Sequence, residues 1–202
     1  MKLTIISGSQ RADSQSLKAA HYLSTLAEAD FTNIDILDLH QLNLPLWNEG
    51  VWTGSEEWAP WRKIATQLQD SDAFVFITPE WHGMATPALK NFLMLSTAKE
   101  MAHKPALAVS ISASVNGVYP ISELRLTGSK NNHVCFIPDH LIFRNVESLF
   151  NPDGSVNDVN FHGRSEYTMK LLSAYAHALK PIHRDMVEAG KPFQYGLSLI
   201  HI

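Results

Sequence analysis

Residues 3–16 read Leu-Thr-Ile-Ile-Ser-Gly-Ser-Gln-Arg-Ala-Asp-Ser-Gln-Ser, an apolar run that passes directly into a polar segment rich in serine. The run at residues 3–7 is short and contains β-branched side chains, which is typical of a buried strand. Beyond the serines, apolar side chains recur every three or four positions, as in Leu17, Ala20 and Leu23. This spacing predicts an amphipathic helix. The stretch therefore predicts a strand, a polar loop and a helix, the repeating unit of a parallel α/β sheet.

The same alternation recurs along the rest of the chain. Further strands are predicted at residues 34–39, 73–78, 106–112 and 134–138. Helices are predicted at residues 16–29, 56–69, 87–96, 121–128 and 166–179. The first, third and fourth strands are apolar almost throughout, as expected for parallel strands that helices cover on both faces. No linker, repeat or low-complexity segment interrupts the pattern, so residues 1–202 are expected to form a single three-layer α/β domain with an open parallel sheet.

Composition and charge disfavour several functional classes. The 202 residues are 45% hydrophobic and 18% charged, with a formal net charge of −4. This balance favours neither a nucleic-acid partner nor an anionic membrane, and no apolar run approaches the roughly 20 residues of a membrane-spanning helix. The first residues are strand-like and lack a basic and apolar leader, so no secretory signal is expected.

The cysteine and the histidines of the sequence favour neither a disulfide nor a metal site. Cys135 is the single cysteine, so no internal disulfide can form, and the residue is expected to be a small buried hydrophobic side chain. A cytoplasmic location is the expectation. The ten histidines are scattered from His21 to His201 without the spacing of a ligand pair, so no metal site is expected.

The polar segment at residues 7–16 has the composition of an anion site. In an open parallel sheet, ligands bind beyond the carboxyl ends of the strands, and backbone N–H groups at the start of a helix attract anions. Ser9, Ser14 and Ser16 add hydroxyl groups, and Arg11 adds a permanent positive charge. Neither the Walker A pattern nor the Gly-x-Gly-x-x-Gly pattern is present. The loop suits one terminal phosphate, with an ordinary helix N-cap cluster and a solvated arginine as the alternative.

A second motif follows the third predicted strand. Residues 78–91 read Thr-Pro-Glu-Trp-His-Gly-Met-Ala-Thr-Pro-Ala-Leu-Lys-Asn. Together with Gly-Ser-x-Arg-x-x-Ser at residues 8–14, this segment resembles the NADPH-dependent FMN reductase family, which has the flavodoxin-like fold. That family typically shows Gly-Ser-x-Arg-x-x-Ser-x-Asn in the first loop and Pro-Glu-Tyr-Asn-Gly-Ser-x-Pro-x-x-Leu-Lys-Asn after the third strand. The resemblance implies the strand order 2-1-3-4-5, with helices on both faces of the sheet.

The resemblance also implies a cofactor, an activity and a set of site residues. It implies bound FMN, reduced by NADPH or NADH, and electron transfer to a small acceptor such as a quinone, an azo or nitro compound, a metal ion or free flavin. The residues expected to hold the FMN phosphate are Ser9, Arg11, Ser14 and Ser16. Those expected along the edge of the isoalloxazine ring are Pro79, Glu80, Trp81, His82 and Gly83. The far side of the ring is expected at residues 112–117, with Ser112, Ser114 and Gly117.

Several residues depart from the family pattern. Ser16 stands where asparagine is usual, and its hydroxyl can still donate a hydrogen bond. Trp81 replaces tyrosine and keeps an aromatic face, whereas Met84 replaces a small residue. His82 replaces asparagine with an imidazole, a group that titrates near neutrality. His82 is therefore the candidate catalytic acid, with a single neutral hydrogen bond as the alternative role.

Tryptophans are concentrated between the second strand and the second helix. Trp61 lies on the apolar stripe of the predicted helix and is expected in the core. Trp47 and Trp52 fall in a loop, where large aromatic side chains often mark a contact surface. The resemblance makes that surface a subunit interface, so a homodimer or homotetramer is expected, with folding back on the same chain as the alternative. The apolar stretch at residues 192–202 could pack on its own domain or on a neighbouring subunit.

Two other functional classes fit parts of the sequence. A non-enzymatic FMN-binding electron carrier or redox sensor would use the same phosphate loop. Electron carriers of this fold usually combine a loop without arginine with a strongly acidic surface, and Arg11 and the net charge of −4 disfavour that class. A hydrolase or transferase acting on a phosphorylated substrate is the second alternative, and no Gly-x-Ser-x-Gly elbow supports a nucleophilic serine.

Overall fold

A computed structural model of the chain contains a five-stranded sheet whose strands are all parallel. The structure describes residues 1–192, so the apolar stretch beyond residue 192 lies outside the described part. The order of the strands across the sheet is β2-β1-β3-β4-β5, as the family resemblance implied. The strands are β1 (Lys2–Ser7), β2 (Asn33–Asp38), β3 (Ala73–Pro79), β4 (Pro105–Ile111) and β5 (Cys135–Phe143).

Helices surround the sheet on both faces. They are α1 (Gln15–Ala27), α2 (Leu39–Leu42), α3 (Gly50–Thr53), α4 (Ala59–Gln69), α5 (Pro87–Leu95), α6 (Ala98–Met101), α7 (Val118–Thr127), α8 (Val146–Leu149) and α9 (Val159–Gly190). A 3-10 turn, Glu56–Trp58, precedes α4. The five long helices were predicted from the sequence, two of them (α1 and α4) from apolar periodicity. The four-residue helices were not, because a single turn is too short to show a period.

The sheet separates two hydrophobic cores. On one face, α1 and α9 pack against side chains such as Ile5 and Val75. On the other face, α4, α5 and α7 pack against side chains such as Ile6 and Phe76. Successive side chains of a strand point to opposite faces, so a strand covered on both faces must be apolar throughout. Residues 73–78 of β3 are accordingly all buried.

The edge strand β5 is longer than the sequence pattern predicts. Expected at residues 134–138, it runs to Phe143, because Pro138, Asp139 and His140 interrupt the apolar pattern from which its length was predicted. Pro138 is tolerated in a strand at the edge of a sheet. Cys135 is the first residue of this edge strand and is only half-buried, so the expectation of a fully buried cysteine is wrong. Its burial is still sufficient to raise the pKa of the thiol.

The last helix, α9, spans 32 residues, more than twice the predicted length. Gly163 and Pro181 lie inside it, and both residue types usually mark a helix end. Tertiary contacts hold the helix in place. The Thr168 hydroxyl donates to the buried carboxylate of Asp139 on β5 at 2.9 Å, and Arg164 forms an ion pair with the same carboxylate. These contacts fasten α9 to the edge of the sheet.

Candidate active site

The predicted site residues lie on three loops at one edge of the sheet. The first loop (residues 8–14) follows β1, the second loop (residues 80–86) follows β3, and the third loop (residues 112–117) follows β4. Because these three strands are adjacent and parallel, the loops leave the sheet at the same edge. The loops and the adjoining ends of β3 and α1 carry Ser9, Arg11, Ser14, Ser16, Pro79, Glu80, Trp81, His82, Gly83, Ser112, Ser114 and Gly117.

Gly8 is the point of contact between the first and second loops. Its N–H donates to the carbonyl of Ile77 at 2.7 Å, which continues the β1–β3 pairing past the end of β1. A Cβ at this position would lie 2.5 Å from that carbonyl oxygen and 3.1 Å from the Cβ of Leu89. The Thr86 hydroxyl donates to the Gly8 carbonyl at 2.5 Å and accepts from the N–H of Leu89 at 3.2 Å. Close packing therefore requires glycine at this position.

The first loop carries free hydrogen-bond donors. The backbone N–H groups of residues 12–16 donate no hydrogen bond within the described chain. Ser14 is the N-cap of α1 and accepts from the N–H of Leu17 at 3.1 Å, which leaves its own hydroxyl hydrogen available. Arg11 is exposed and forms no ion pair with any residue from 1 to 192. Free N–H dipoles and one positive charge at a helix N-terminus are what a phosphate requires.

Ser9 and Ser16 are the most buried of the predicted phosphate ligands, each 1% exposed. The Ser9 hydroxyl oxygen accepts from the N–H of Arg11 at 3.2 Å and so shapes the loop. The Ser16 hydroxyl has no hydrogen-bond partner among residues 1–192. Leaving such a group unpaired in a protein interior costs about 1–3 kcal/mol. An unpaired hydroxyl beside free N–H groups fits a phosphate-bearing cofactor that supplies the missing partner.

The second loop contains a tight two-residue turn. Trp81 and Met84 exchange two backbone hydrogen bonds, of 3.1 and 2.9 Å. Between them, His82 and Gly83 have φ angles of 51° and 74°. Two central residues with positive φ are the signature of a type I′ turn, in which Asn-Gly is favoured. Histidine also reaches this conformation more readily than most residues. His82 can therefore replace the family's asparagine without loss of the turn, and its side chain is exposed.

Two glutamates connect the second loop to the segment that follows β4. Glu80 Oε2 accepts from the N–H of Gly117 at 2.9 Å. Glu123 Oε2, on α7, accepts from the N–H of Ala85 at 2.6 Å, and its other oxygen lies 3.1 Å from the ammonium of Lys90. The second loop, the third loop and α7 are therefore held as one unit.

The third loop is held by β5. The N–H of Ser112 donates to the carbonyl of Phe143 at 2.8 Å, and its hydroxyl oxygen accepts from the N–H of Ser114 at 3.2 Å. Gly117 has a φ of 106°, and a Cβ there would overlap the Cγ2 of Ile142. Glycine is required at this position by both conformation and space. The loop therefore has a fixed shape, although it contains fewer glycines than the family pattern.

Three residues that support the site were not among the predicted site residues. Thr86 and Glu123 have the contacts described above. Asn91 accepts from the N–H of Trp47 at 2.8 Å and donates to the carbonyl of Pro45 at 2.8 Å. It therefore fixes residues 45–53, called the tryptophan loop below, which carry Trp47, Trp52 and the one-turn helix α3. Thr86 and Asn91 belong to the motif at residues 78–91, which could have indicated them. Glu123 lies 38 residues from its partner, and no local pattern indicates it.

Among the described residues, this edge of the sheet offers hydrogen-bond donors and no cluster of metal ligands. Within residues 1–192, no three His, Cys, Asp or Glu side chains come together as a metal site. No helix in the same part of the chain is long and apolar enough to cross a membrane. The groups that converge at the sheet edge are amide, hydroxyl and guanidinium donors, which suit an organic phosphate.

The fold and the site together define a class of protein. The sheet is open and parallel and has the strand order of the flavodoxin-like fold. Free N–H and hydroxyl groups that suit one phosphate follow β1, and rigid loops follow β3 and β4. These features define the class of flavodoxin-like mononucleotide-binding proteins. The chain belongs to the NADPH-dependent FMN reductase family, whose model matches residues 1–147. It is thus an FMN-dependent oxidoreductase, and this confirms the family, fold, cofactor and activity that the sequence implied.

The similarity to individual proteins is between 23% and 30% identity in the three comparisons that follow. The chain is 28% identical over 179 residues to the 2-hydroxy-1,4-benzoquinone reductase of a Burkholderia species. The aligned region covers 87% of this chain and 92% of that protein. It is 30% identical over 132 residues to the FMN-dependent NADPH-azoreductase of Staphylococcus saprophyticus, with 62% and 68% covered. Among solved structures, the flavoenzyme NAD(P)H:(acceptor) oxidoreductase of Paracoccus denitrificans superposes with a TM-score of 0.73 at 23% identity, covering 88% of this chain and 98% of that one. This last likeness shows the fold.

Proposed function

We propose that FMN binds at the sheet edge with its phosphate in the first loop and its isoalloxazine ring between the second and third loops. The observation that carries the proposal is the row of free N–H groups at residues 12–16 beside the exposed, unpaired Arg11. Ser9, Ser14 and Ser16 complete the phosphate site. Residues 79–83 then follow one edge of the ring, and residues 112–117 approach its far side.

The chain's own residues bind FMN and orient it. When bound, FMN supplies the redox chemistry, taking a hydride from NADPH and returning two electrons to an acceptor. Arg11 and the loop N–H groups compensate the phosphate charge and fix one end of the cofactor. Glu80 and Glu123 keep the second and third loops at a constant separation. His82, exposed on the turn, donates a proton to the acceptor as the acceptor gains electrons.

We propose quinones or azo compounds as the acceptors. The support comes from relatives named 2-hydroxy-1,4-benzoquinone reductase, quinone reductase (Pseudomonas putida) and FMN-dependent NADPH-azoreductase, at 28%, 27% and 30% identity. Both classes are flat conjugated molecules that take up electrons and protons together. Steady-state rates with a benzoquinone and an azo dye, each measured with NADPH and with NADH, test this choice.

The decisive test of the proposed function is the colour of the protein. Purified protein is expected to be yellow, to release FMN rather than FAD or riboflavin on denaturation, and to bleach when NADPH is added without oxygen. Protein that takes up no flavin on titration contradicts the proposal. Bound flavin that NADPH does not bleach identifies an electron carrier instead.

We propose that two copies of the chain associate through the tryptophan loop. The rings of Trp47 and Trp52 pack edge to face with centroids 5.0 Å apart, and Trp52 and Leu46 are 65% and 75% exposed. Trp61, by contrast, is buried in the core as expected. A cavity of about 1060 Å³ lies beside Trp47, Trp52 and Met94. Light scattering at micromolar concentration should give at least twice 22.6 kDa, and a monomer contradicts the proposal.

We also propose that the whole chain acts as one domain in the cytoplasm. The residues beyond the family match contribute α9, which packs against the same core as α1. The thiol of Cys135 is free, as is usual for a protein in a reducing compartment. Limited proteolysis that releases a stable fragment ending near residue 147, or fractionation that places the protein outside the cytoplasm, would contradict this.

A further inference from the structure

Four large apolar side chains in and near the loops that flank the proposed flavin ring are exposed. Met84 is 49% exposed, Val115 69%, Val118 50% and Tyr119 65%. They come from the turn itself, from the third loop and from the first turn of α7. We call these four residues the apolar rim. Clusters of large exposed apolar side chains usually mark a binding surface.

Two contacts bring the segments of the apolar rim together. The hydrogen bond from the Gly117 N–H to Glu80 joins the third loop to the second. The side chain of Tyr119 lies against Gly83, where a Cβ would be 3.9 Å from the aromatic ring. The rim is thus assembled before any ligand arrives, which lowers the entropic cost of binding.

The chemistry of the rim selects a class of ligand. Its four members carry no charge, and the exposed polar side chains within two residues of them in the sequence are His82, Ser114 and Asn116. An apolar surface with a few polar groups at its border is the usual arrangement of a site for a small organic molecule. It suits an uncharged aromatic ring with polar atoms at the ring edge, and it offers nothing to a hydrated ion.

We propose that the apolar rim binds the ring of the electron acceptor, and that Met84 and Tyr119 determine the selectivity for uncharged aromatic acceptors. The proposal rests on the proposed function, because the rim lies on the two loops that flank the proposed flavin ring and on the first turn of α7 beside them. A second copy of the chain is the competing occupant, since exposed apolar surface also forms subunit interfaces.

The test uses a double variant, Met84→Ser with Tyr119→Ser, and a matched control, Leu126→Ser. Leu126 is 84% exposed and lies seven residues beyond Tyr119 on the same helix, so its replacement removes a similar exposed side chain away from the rim. Each protein is loaded with FMN and assayed with 1,4-naphthoquinone and with ferricyanide, a hydrated anion that needs no apolar contact. Quenching of tryptophan fluorescence by naphthoquinone, without NADPH, measures acceptor binding independently of turnover.

The expected result is selective. The double variant should raise KM and the dissociation constant for naphthoquinone by about tenfold or more, the size of effect expected from losing apolar contact area. Its KM for ferricyanide and its rate of bleaching by NADPH should stay within about twofold of the wild-type values. Leu126→Ser should leave the KM for both acceptors unchanged.

Three results overturn the proposal. An equal change in KM for both acceptors shows a general disturbance of the site. An unchanged naphthoquinone affinity shows that the rim does not contact the acceptor. A variant that dissociates into monomers with unchanged naphthoquinone affinity assigns the rim to a second copy of the chain. Failure of the proposed function has a different signature, the absence of FMN uptake or of bleaching by NADPH in the wild type.

Discussion

Replacing Gly8 with alanine should damage the site without touching any proposed FMN ligand. Gly8 does not have a positive φ, so the backbone conformation admits alanine, and the effect is purely one of space. The new Cβ would lie 2.5 Å from the Ile77 carbonyl oxygen and 3.1 Å from the Cβ of Leu89. Both neighbours are fixed, one in the central strand β3 and the other at the start of α5. The first loop must therefore move away from the second.

The magnitude follows from what this movement disturbs. Forcing an extra carbon into a close-packed site costs about 1–3 kcal/mol. The hydrogen bonds from Gly8 N–H to Ile77 and from Thr86 to the Gly8 carbonyl lie at the same point, and each contributes about 0.5–1.5 kcal/mol. A total loss of about 2–6 kcal/mol in the free energy of unfolding is expected. FMN affinity should also fall, by roughly tenfold or more, since the proposed phosphate donors of residues 12–16 move with the loop.

The assay is urea unfolding of the flavin-free protein, with the free energy obtained by linear extrapolation, together with fluorescence titration of FMN. Gly163→Ala is the matched control, because Gly163 lies inside α9 and a Cβ there has no neighbour within 4 Å. That variant should gain about 0.5–1 kcal/mol from the higher helix propensity of alanine and leave FMN affinity unchanged. A Gly8→Ala protein as stable as the wild type, or one that binds FMN equally well, would refute the packing argument.

Two further predictions concern single side chains. His82→Asn keeps the positive-φ turn but removes the proposed proton donor, so it should slow the reduction of a quinone and leave the rate of flavin reduction by NADPH unchanged; equal stopped-flow rates of quinone reduction for the two proteins would dispose of proton donation by His82. Burial lowers the pKa of Lys104 to about 8, so between about pH 8 and 10 the unfolded chain binds more protons than the folded one. The free energy of unfolding of the wild type should therefore rise over that window relative to Lys104→Met, by about 1–3 kcal/mol, and parallel pH dependences of the two proteins would show that the ammonium is not desolvated.

The elements that could be predicted from the sequence are those whose signal is local. β3 could be located because both of its faces are covered, which makes residues 73–78 apolar without interruption. α1 could be located because one stripe of its surface is buried. β5 was placed too short, because a strand at the edge of a sheet tolerates Pro138 and exposed residues that a central strand does not.

The candidate site divides in the same way. The proposed phosphate donors and the turn lie within short segments whose residue types reflect their backbone conformations, so Ser14, Arg11 and Gly83 could be named as candidates from the sequence. The contacts that hold the loops together join distant residues. Thr86 reaches Gly8 across 78 residues, and Glu123 reaches the second loop across 38. Such pairs become apparent only when the strand order and the packing of α7 are known.

The central claim is that the first loop holds the phosphate of FMN, and the ratio of dissociation constants for riboflavin and FMN tests it most directly. The two ligands differ by the phosphate alone. Wild-type protein should bind FMN at least tenfold more tightly than riboflavin, since one charged hydrogen bond is worth about 1.5–3 kcal/mol. Arg11→Ala should remove much of that difference. Equal affinity of the wild type for the two flavins, or an equal loss of both in Arg11→Ala, would contradict the account.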